Sequence, residues 1–338
     1  MLKLVIITEG GSRVGFGHVA RCLSLCEAFE DSGIEPLFLI NGEPGIKNTL
    51  KGKNLRIFNW LEDKNRMLGL IKGFDIGIID SYLAGLSSYN LFSRSVRMPL
   101  YIDDNNRLNY PRGVVVNTNL YAPNLPYRRA RDVQYLLGRR YTTLRRPFWN
   151  VASRKIRVRP KSLLITSGGS DIRNMVPGLL ENSIKKFPDL IKKVIIGPGF
   201  KNINEIRKLK DAKTEIVYSP DASAMKKVML DSDMAISGGG VTLYELARTG
   251  VGTVGICFAE NQRDNLLTCQ KKGFLEFAGD FDAKGTMENI TQAIGRLLPF
   301  EERLRRYGLS RQLVDGQGCH RIRDFMLQQL SHSCKNKR

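Results

Sequence analysis

One histidine lies in a glycine-rich turn near the start of the chain. Residues 10–21 read GGSRVGFGHVAR and join an apolar run over residues 2–7 to a helical pattern. Gly15 and Gly17 let the backbone approach a ligand closely. The first turn of a helix carries a partial positive charge, which disfavours a charged imidazole and keeps His18 neutral near pH 7. We therefore predict that His18 acts as a general base beside a bound substrate.

Three other interpretations of this turn remain open. Its spacing fits the G-x-G-x-x-A form of a dinucleotide-binding loop, although the second predicted strand, 36–40, is followed by Asn-Gly-Glu and lacks the acidic residue expected at its end. His18 is alternatively a purely structural histidine. With Cys22 and Cys26 it also falls at i, i+4 and i+8 on one helix face, a spacing available to zinc, although cysteine is commonly a plain buried hydrophobic residue.

Polar residues also follow the buried strand predicted over residues 74–79. These residues are Asp80, Ser81 and Tyr82. In an open parallel sheet, ligands bind just beyond the carboxyl ends of the strands. We therefore expect these three residues to lie in the same cleft as His18.

Polar and glycine-rich turns follow three predicted strands in the second half of the chain. They follow the strands 162–166, 234–237 and 251–257, and we predict that they bind substrate: Gly168, Gly169, Ser170 and Asp171; Gly238, Gly239, Gly240 and Thr242; and Asn261 and Gln262. A tight turn needs only one glycine, so three in a row before a helix favour an anion-binding turn, with Thr242 as the helix cap.

The alternation of apolar runs with helical patterns predicts the fold class. We expect an α/β protein with two Rossmann-like, doubly wound domains that face a central cleft. The first domain is predicted over residues 1–145, a basic linker over 146–160 and the second domain over 161–331. The remaining residues, 332–338, are predicted to form a frayed tail.

The composition excludes several classes of protein. The 338 residues include 42% hydrophobic residues, enough for sizeable cores. No apolar run is long enough to span a membrane and the N-terminus lacks a signal-peptide layout, so we predict no stable membrane insertion. The six cysteines show no disulfide spacing, which favours the cytoplasm.

The chain is strongly basic, with a formal net charge of +20 and an isoelectric point near 9.8. The positive residues are spread along the sequence, and neither a recognition helix, an RNA-binding aromatic signature nor a zinc-finger spacing accompanies them. We expect a solvated basic surface, part of which faces a diphosphate, and no nucleic-acid partner. A nucleic-acid-binding protein is the alternative that the charge alone suggests.

A set of motifs matches one family in order between residues 1 and 278. They are GFGHxxR at 15–21, IIDSY at 78–82, DD at 103–104, VNTNLYA at 116–122, SGGSD at 167–171, SGGGxTLYE at 237–245 and AENQ at 259–262. Through them the chain resembles the UDP-2,4-diacetamido-2,4,6-trideoxy-β-L-altropyranose hydrolases of pseudaminic acid biosynthesis (PseG) and the related MurG-like glycosyltransferases of the GT-B fold.

The resemblance implies hydrolysis of a UDP-linked amino or deoxy sugar to the free sugar and UDP. It implies that His18 activates water with Tyr82 and Asp80 beside it, and that the first domain holds the sugar and the second domain UDP. The other residues that it places at the substrate are Arg21 and Ser81 on the sugar side, glycines 238–240 at the diphosphate, Glu245 at the ribose, and Asn261 and Gln262 at the sugar or phosphate edge.

The leading hypothesis is an inverting hydrolase that uses no metal and no cofactor and works as a monomer on a UDP-sugar. A GT-B glycosyltransferase with the same UDP pocket is the alternative. Two departures from the family concern the sugar side: Ser81 stands where relatives often have a second histidine, and Thr8-Glu9-Gly10 replaces an opening that contains arginine and aspartate.

Overall fold

The structure, a computed structural model, describes residues 2–11, 15–128 and 130–335, with the backbone alone for 333–335. Residues 12–14 of the glycine-rich turn and the last three residues of the predicted tail lie outside the described part. The chain divides into two compact units: Met1–Arg146 with Gln317–Arg338, and Pro147–Gly316.

The first unit is built on a parallel sheet. Its strands are β1 (Leu4–Gly10), β2 (Leu37–Gly42), β3 (Asn54–Ile57), β4 (Phe74–Asp80), β5 (Val96–Ile102), β6 (Gly113–Asn117) and β7 (Val133–Leu137), and the helices among them are α1 (Gly17–Glu30), α2 (Ile46–Thr49), α3 (Lys64–Ile71) and α4 (Leu86–Ser95). Across the described residues the strands pair in the order β3-β2-β1-β4-β5-β6-β7, all parallel.

The second unit repeats this plan. Its strands are β8 (Ser162–Thr166), β9 (Ile191–Ile196), β10 (Thr214–Tyr218), β11 (Met234–Gly238), β12 (Gly252–Cys257) and β13 (Leu275–Asp280), and its helices are α5 (Met175–Lys186), α6 (Ile203–Leu209), α7 (Ala222–Leu230), α8 (Val241–Thr249), α9 (Arg263–Lys271), α10 (Thr286–Leu297) and α11 (Phe300–Leu313). The strand order is β10-β9-β8-β11-β12-β13, again parallel. The predicted pair of doubly wound α/β units is confirmed.

The central strands are apolar along their length because helices cover both faces of a doubly wound sheet. Every residue of β1 is buried, as are the last five of β4. The core of the first unit includes Val5, Ile7 and Ile79, and that of the second includes Ile165 and Ile236.

Each sheet has a switch point, the place where successive strands stop adding on one side and start adding on the other. It lies between β1 and β4 in the first unit and between β8 and β11 in the second. The register pairs Thr8 with Asp80 and Ser237 with Thr166, so the turns that follow these strands lie side by side. A crevice beyond the carboxyl ends at this point is where open α/β sheets bind ligands.

The C-terminal helix differs from the prediction. α12 (Gly318–Lys335) belongs to the first unit, whereas the sequence placed residues up to 331 in the second domain. It packs on α1, where Nη1 of Arg323 donates to the carbonyl of Ala28 at 3.2 Å. Its buried face includes Ile322 and Met326. An amphipathic pattern shows that a helix needs an apolar partner but does not say which one.

The predicted linker also differs from the structure, because residues 147–160 pack on the second unit. Nη1 of Arg154 donates to the carbonyls of Leu230 and Ser232 at 2.8 and 2.6 Å. Arg303, only 1% exposed, donates to the carbonyl of Arg157 at 2.8 Å. These arginines satisfy backbone oxygens that a segment without regular structure would otherwise leave unpaired.

Candidate active site

His18 and Asp80 form a buried pair at the switch point of the first unit. His18 lies in the first turn of α1 and is 6% exposed, while Asp80 ends β4 and is fully buried. Nδ1 of His18 is 2.6 Å from Oδ1 of Asp80. Because two lone pairs would repel at this distance, Nδ1 carries a proton and donates it to the carboxylate. When the ring is neutral, Nε2 is therefore its basic nitrogen, and this is the tautomer that a general base needs.

Arg21, one turn further along α1, bridges Asp80 to a second carboxylate. Its Nε and Nη2 donate to Asp80 at 2.5 and 2.6 Å, and its Nη1 donates to both oxygens of Asp104 at 2.9 and 2.7 Å. The sequence placed Arg21 at the substrate, but all three of its nitrogens bind protein carboxylates. A planar guanidinium matches the geometry of a carboxylate, which explains why Arg21 binds these two side chains.

These contacts shift the pKa values of Asp80 and Arg21. Burial by itself would raise the pKa of Asp80, but the charges of Arg21 and His18 and their hydrogen bonds hold that pKa well below its usual range. Burial lowers the pKa of Arg21, and Asp104 and Asp80 together raise it well above its ordinary value. Asp80 is therefore an anion and Arg21 a cation throughout the physiological pH range.

Tyr82 packs edge-on against His18, with 4.6 Å between the ring centroids. Its hydroxyl donates a hydrogen bond to Asp104. Burial, and next the charge of Asp104, raise the pKa of Tyr82 above its ordinary value, so the phenol stays protonated. The structure thus brings together His18, Asp80 and Tyr82, the three residues predicted to be catalytic.

Ser81, predicted to lie on the sugar side of the substrate, is hydrogen-bonded within the protein. Its hydroxyl donates to Glu9 at 2.6 Å and accepts from the amides of Leu83 and Ala84 at 3.1 and 2.9 Å. Glu9 also accepts from the amide of Tyr82 at 2.7 Å. Ser81 and Glu9, both buried, therefore shape the turn after β4.

Sequence reasoning missed both acidic partners of this site. Glu9 was noted only as a departure from the family, and Asp104 only as half of an adjacent pair. The available signal was position, because Glu9 is near the end of β1 and Asp104 follows β5, the strand beside β4.

The two glycines predicted to contact the substrate, Gly15 and Gly17, differ in backbone conformation. Gly15 has φ of +82°, which side-chain-bearing residues rarely adopt. Gly17 begins α1, and a Cβ built there would meet no atom of the described residues within 4 Å, its chain neighbours and the backbone of its own helix aside. Glycine is thus a conformational requirement at Gly15 and leaves open space at Gly17, next to His18.

At the switch point of the second unit, the glycine turn leads into α8 without a side-chain cap. Gly240 is the N-cap residue, and Thr242 lies inside the helix, so the predicted capping role of Thr242 is wrong. A glycine at the N-cap has no side-chain oxygen for the helical amides, and its carbonyl accepts from the amide of Leu243 at 3.0 Å, so the amides before Leu243 are the ones that an anion could use.

The side chains around this turn come from the segment after β12. Oε1 of Gln262 accepts from the amide of Gly239 at 3.1 Å, and Nδ2 of Asn265 donates to the carbonyl of Gly239 at 2.7 Å. A Cβ on Gly238 would come within 2.7 Å of the Phe258 ring. Gln262 is thus tied to the turn, while the neighbouring Asn261 is exposed.

Glu245 lies one turn into α8 and is 1% exposed. Its place after the glycine turn is the one that the ribose-binding prediction requires. The structure adds that Glu245 is buried and interacts with other groups of the protein.

The other predicted turn of the second unit follows β8. Gly168 has φ of +87°, and the carbonyl of Gly169 accepts from the amide of Gly199 at 2.8 Å. Ser170 accepts from the Ser167 hydroxyl through its carbonyl at 3.1 Å. Asp171, predicted to contact substrate, accepts from the amides of Met175 and Val176 at 3.0 and 2.9 Å and so holds the start of α5.

Among the described residues, no group of three or more His, Cys, Asp and Glu side chains is arranged to hold a metal ion. Sγ of Cys22, which the zinc spacing included, lies 3.7 Å from Asp80, and burial raises the pKa of its thiol well above the ordinary value. No helix in the described part of the chain is long and apolar enough to cross a membrane.

Solved structures share this fold. Acinetobacter baumannii MurG matches with a TM-score of 0.67 at 16% identity, over 96% of this chain and 99% of that chain. The S. aureus MnaA–UDP complex matches with a TM-score of 0.63 at 13% identity, over 98% and 97%. The chain therefore has the two-unit, Rossmann-like fold of the MurG-like GT-B structures.

The chain is also similar in sequence to curated proteins. The chain is 22% identical over 290 residues to the UDP-2,4-diacetamido-2,4,6-trideoxy-beta-L-altropyranose hydrolase of Campylobacter jejuni, covering 81% of this chain and 98% of the relative. It is 26% identical over 255 residues to a Helicobacter pylori protein that combines pseudaminic acid cytidylyltransferase with this hydrolase, covering 73% and 43%. It is also 27% identical over 282 residues to an uncharacterized Methanocaldococcus jannaschii protein, covering 78% and 57%. The expected resemblance to PseG is confirmed as a distant similarity.

The lengths of these relatives differ. The chain spans about half the length of the Helicobacter and Methanocaldococcus proteins and nearly all of the Campylobacter one. No family model matches the chain.

Proposed function

We propose that the protein hydrolyses a UDP-linked amino or deoxy sugar, UDP-2,4-diacetamido-2,4,6-trideoxy-β-L-altropyranose or a close relative, to the free sugar and UDP. The observation that carries this proposal is the His18–Asp80 pair, whose basic nitrogen is available at the switch point of the first unit. Similarity to named hydrolases of this substrate supports the choice.

In the proposed reaction, a water oxygen attacks the anomeric carbon as Nε2 of His18 takes one of its protons. The bond between that carbon and the diphosphate oxygen breaks, UDP leaves with the electron pair, and the configuration at carbon inverts. Asp80 stabilises the imidazolium that forms, because it is an anion hydrogen-bonded to Nδ1. Inversion follows from a single displacement.

The second unit is proposed to bind UDP. The uncapped start of α8 presents amide donors and a partial positive charge to the diphosphate. Glu245 is proposed to accept hydrogen bonds from the ribose hydroxyls. With helix amides as the charge-stabilising group, we propose that the reaction needs no divalent metal and no cofactor.

The adjacent acidic pair supports this choice. Asp103 accepts from the Tyr110 and Tyr127 hydroxyls at 3.0 and 2.6 Å, and Asp104 binds Arg21. Both carboxylates are thus engaged by protein donors. The cytoplasmic location and the monomeric state expected above remain part of the proposal.

A screen of UDP-sugars for UDP release without an acceptor tests this function. In H₂¹⁸O, attack at the anomeric carbon puts the label in the free sugar and leaves UDP unlabelled. NMR of the first product formed identifies its anomer. Label in UDP, or retention at the anomeric carbon, would contradict the mechanism, and no UDP release from any sugar would contradict the function.

A glycosyltransferase is the second candidate, favoured by the GT-B fold shared with MurG. In that case His18 would activate an acceptor hydroxyl in place of water. UDP release that depends on an added acceptor, with sugar transferred to it, would favour this candidate over the hydrolase.

A further inference from the structure

Asp104 contacts two of the groups that surround His18. Its two carboxylate oxygens accept hydrogen bonds from Nη1 of Arg21 at 2.9 and 2.7 Å. The Tyr82 hydroxyl donates to the same carboxylate. Asp104 itself is 9% exposed. Asp104 therefore links Arg21, which binds Asp80, to Tyr82, which packs against the imidazole of His18.

The position of Asp104 is determined by its neighbours on the chain. Its backbone carbonyl accepts from Nδ2 of Asn117 at 2.7 Å and from the Tyr121 hydroxyl at 3.0 Å. Its Oδ1 accepts from Nδ2 of Asn119 at 3.0 Å. Because both the backbone and the side chain of Asp104 are hydrogen-bonded, its carboxylate holds a fixed position for the groups that bind it.

The contacts of Arg21 explain why this anchor matters for His18. Nη2 of Arg21 lies 3.1 Å from Nδ1 of His18, and both atoms point at Oδ1 of Asp80. Without Asp104, only Asp80 would hold the guanidinium, and a small rotation would let Nη2 donate to an unprotonated Nδ1 and so favour the Nε2–H tautomer. Tyr82 would lose the acceptor that holds its ring against His18.

We propose that Asp104 is a positioning residue, which acts through Arg21 and Tyr82 to keep His18 in the tautomer and orientation that a base requires. The catalytic consequence rests on the proposed function. The effect on the His18 tautomer does not, so the two can fail separately.

Asp103 provides a matched control within the same sequence pair. It is 2% exposed and accepts hydrogen bonds from Tyr110 and Tyr127, and from the amide of Arg107 at 3.2 Å. Within the described part of the chain, its side-chain hydrogen bonds involve neither Arg21 nor Tyr82. Asp103→Asn and Asp104→Asn therefore each remove one buried charge, from adjacent positions whose side chains bind different neighbours.

The experiment compares the two variants with the wild-type chain. For Asp104→Asn we expect kcat per folded molecule to fall roughly 10- to 100-fold with little change in KM, because orientation and not ground-state binding is lost. Asp103→Asn should lower the melting temperature and keep kcat per folded molecule. Equal losses of kcat in both variants would overturn the proposal.

A second measurement is independent of turnover. ¹⁵N NMR of the three histidines distinguishes the Nδ1–H from the Nε2–H form of His18. We expect the Nδ1–H form in the wild-type chain and in Asp103→Asn, and a mixture in Asp104→Asn. If Asp104→Asn does not fold, Tyr82→Phe removes the hydrogen bond between Tyr82 and Asp104 and should produce a smaller change of the same kind. An unchanged tautomer in every folded variant would refute the positioning role, even if the chain hydrolysed no UDP-sugar.

Discussion

The switch points of the two units have the same topology but opposite kinds of lining. Between β1 and β4, charged side chains bind one another: His18, Asp80, Arg21 and Asp104 form a continuous network. Between β8 and β11, the turns are shaped by glycines and by amide side chains such as Gln262, and α8 begins without a side-chain cap.

This difference shows how one fold can serve two chemical tasks. Proton transfer needs a titratable group whose tautomer and orientation are set by neighbouring charges. An anion can be bound by backbone N–H donors at a helix start, which a glycine turn leaves uncovered by side chains. We infer that the first unit carries the reacting base and the second the binding of the leaving group.

The strongest test of this division is removal of the base. His18→Asn should lower turnover by roughly 10² to 10⁴-fold, because general-base catalysis is lost. UDP affinity and melting temperature should stay near the wild-type values, and the acidic limb of the pH–rate profile should disappear. Single-turnover rate, calorimetry with UDP and thermal melting on one preparation provide the readout.

The exposed His332, replaced by Asn, is the control and should match the wild type. A His18→Asn variant that melts early but turns over normally per folded molecule would show that His18 is structural.

The second test concerns the stability of the charged network. Asp80→Asn leaves Arg21 without one of its two carboxylates, and breaking a buried ion pair costs about 3–5 kcal/mol. Urea unfolding at pH 7 should show this loss. Glu181→Gln breaks the exposed pair with Lys185 and should change stability by less than about 0.5 kcal/mol.

Asp80 also leads us to expect that the stability of the protein falls at acidic pH. Because the pKa of Asp80 is lower in the folded state than in the unfolded chain, its stabilising contribution is fully present above the unfolded pKa of about 3.9. It is lost as the pH falls through the lower, folded value. Asp80→Asn should remove this part of acid unfolding, and identical acid profiles for the two proteins would contradict the assignment.

The third test addresses the second unit alone. Glu245→Ala should weaken UDP binding by about 1.5–3 kcal/mol, since a charged hydrogen-bond acceptor for the ribose is removed. The rate at saturating substrate should change less. Glu288→Ala, at an exposed position of α10, is the control. Unchanged UDP affinity measured by calorimetry would remove Glu245 from the nucleotide site.

The smallest effect is expected from removal of divalent metal. Helix amides of α8 are proposed to stabilise the diphosphate, and Asp103 and Asp104 are engaged by protein donors. Turnover after treatment with a chelator should therefore equal that of the untreated protein. Loss of activity that Mg²⁺ restores would show that the reaction depends on a metal after all.

Several features were predictable because they depend on local sequence. The apolar runs at β1, β4, β8 and β11 identify buried parallel strands, and the glycines after β1 and β11 mark the turns. Parallel strands in a doubly wound sheet bring their carboxyl ends to one edge, so His18 and Asp80 could be placed together before any distance was known.

Other features depended on partners distant in the sequence. Arg21 reaches Asp80 and Asp104, which are 59 and 83 residues away along the chain, and Asp171 turns back to hold α5. A charged residue in a motif does not state whether it faces a ligand or another side chain. That choice depends on which groups the fold brings within hydrogen-bond distance.

The strands β7 and β13 escaped prediction, because only two residues of each are buried and neither has the continuous apolar run of a central strand. The sequence by itself determined the two doubly wound sheets and the turns at their switch points, since hydrophobic patterning and glycine act locally. Only the tertiary structure decided that α12 packs on α1, that the segment 147–160 is held by arginines, and that Asp104 completes the cluster around His18. Those outcomes depend on the competition among several possible partners for the same buried group.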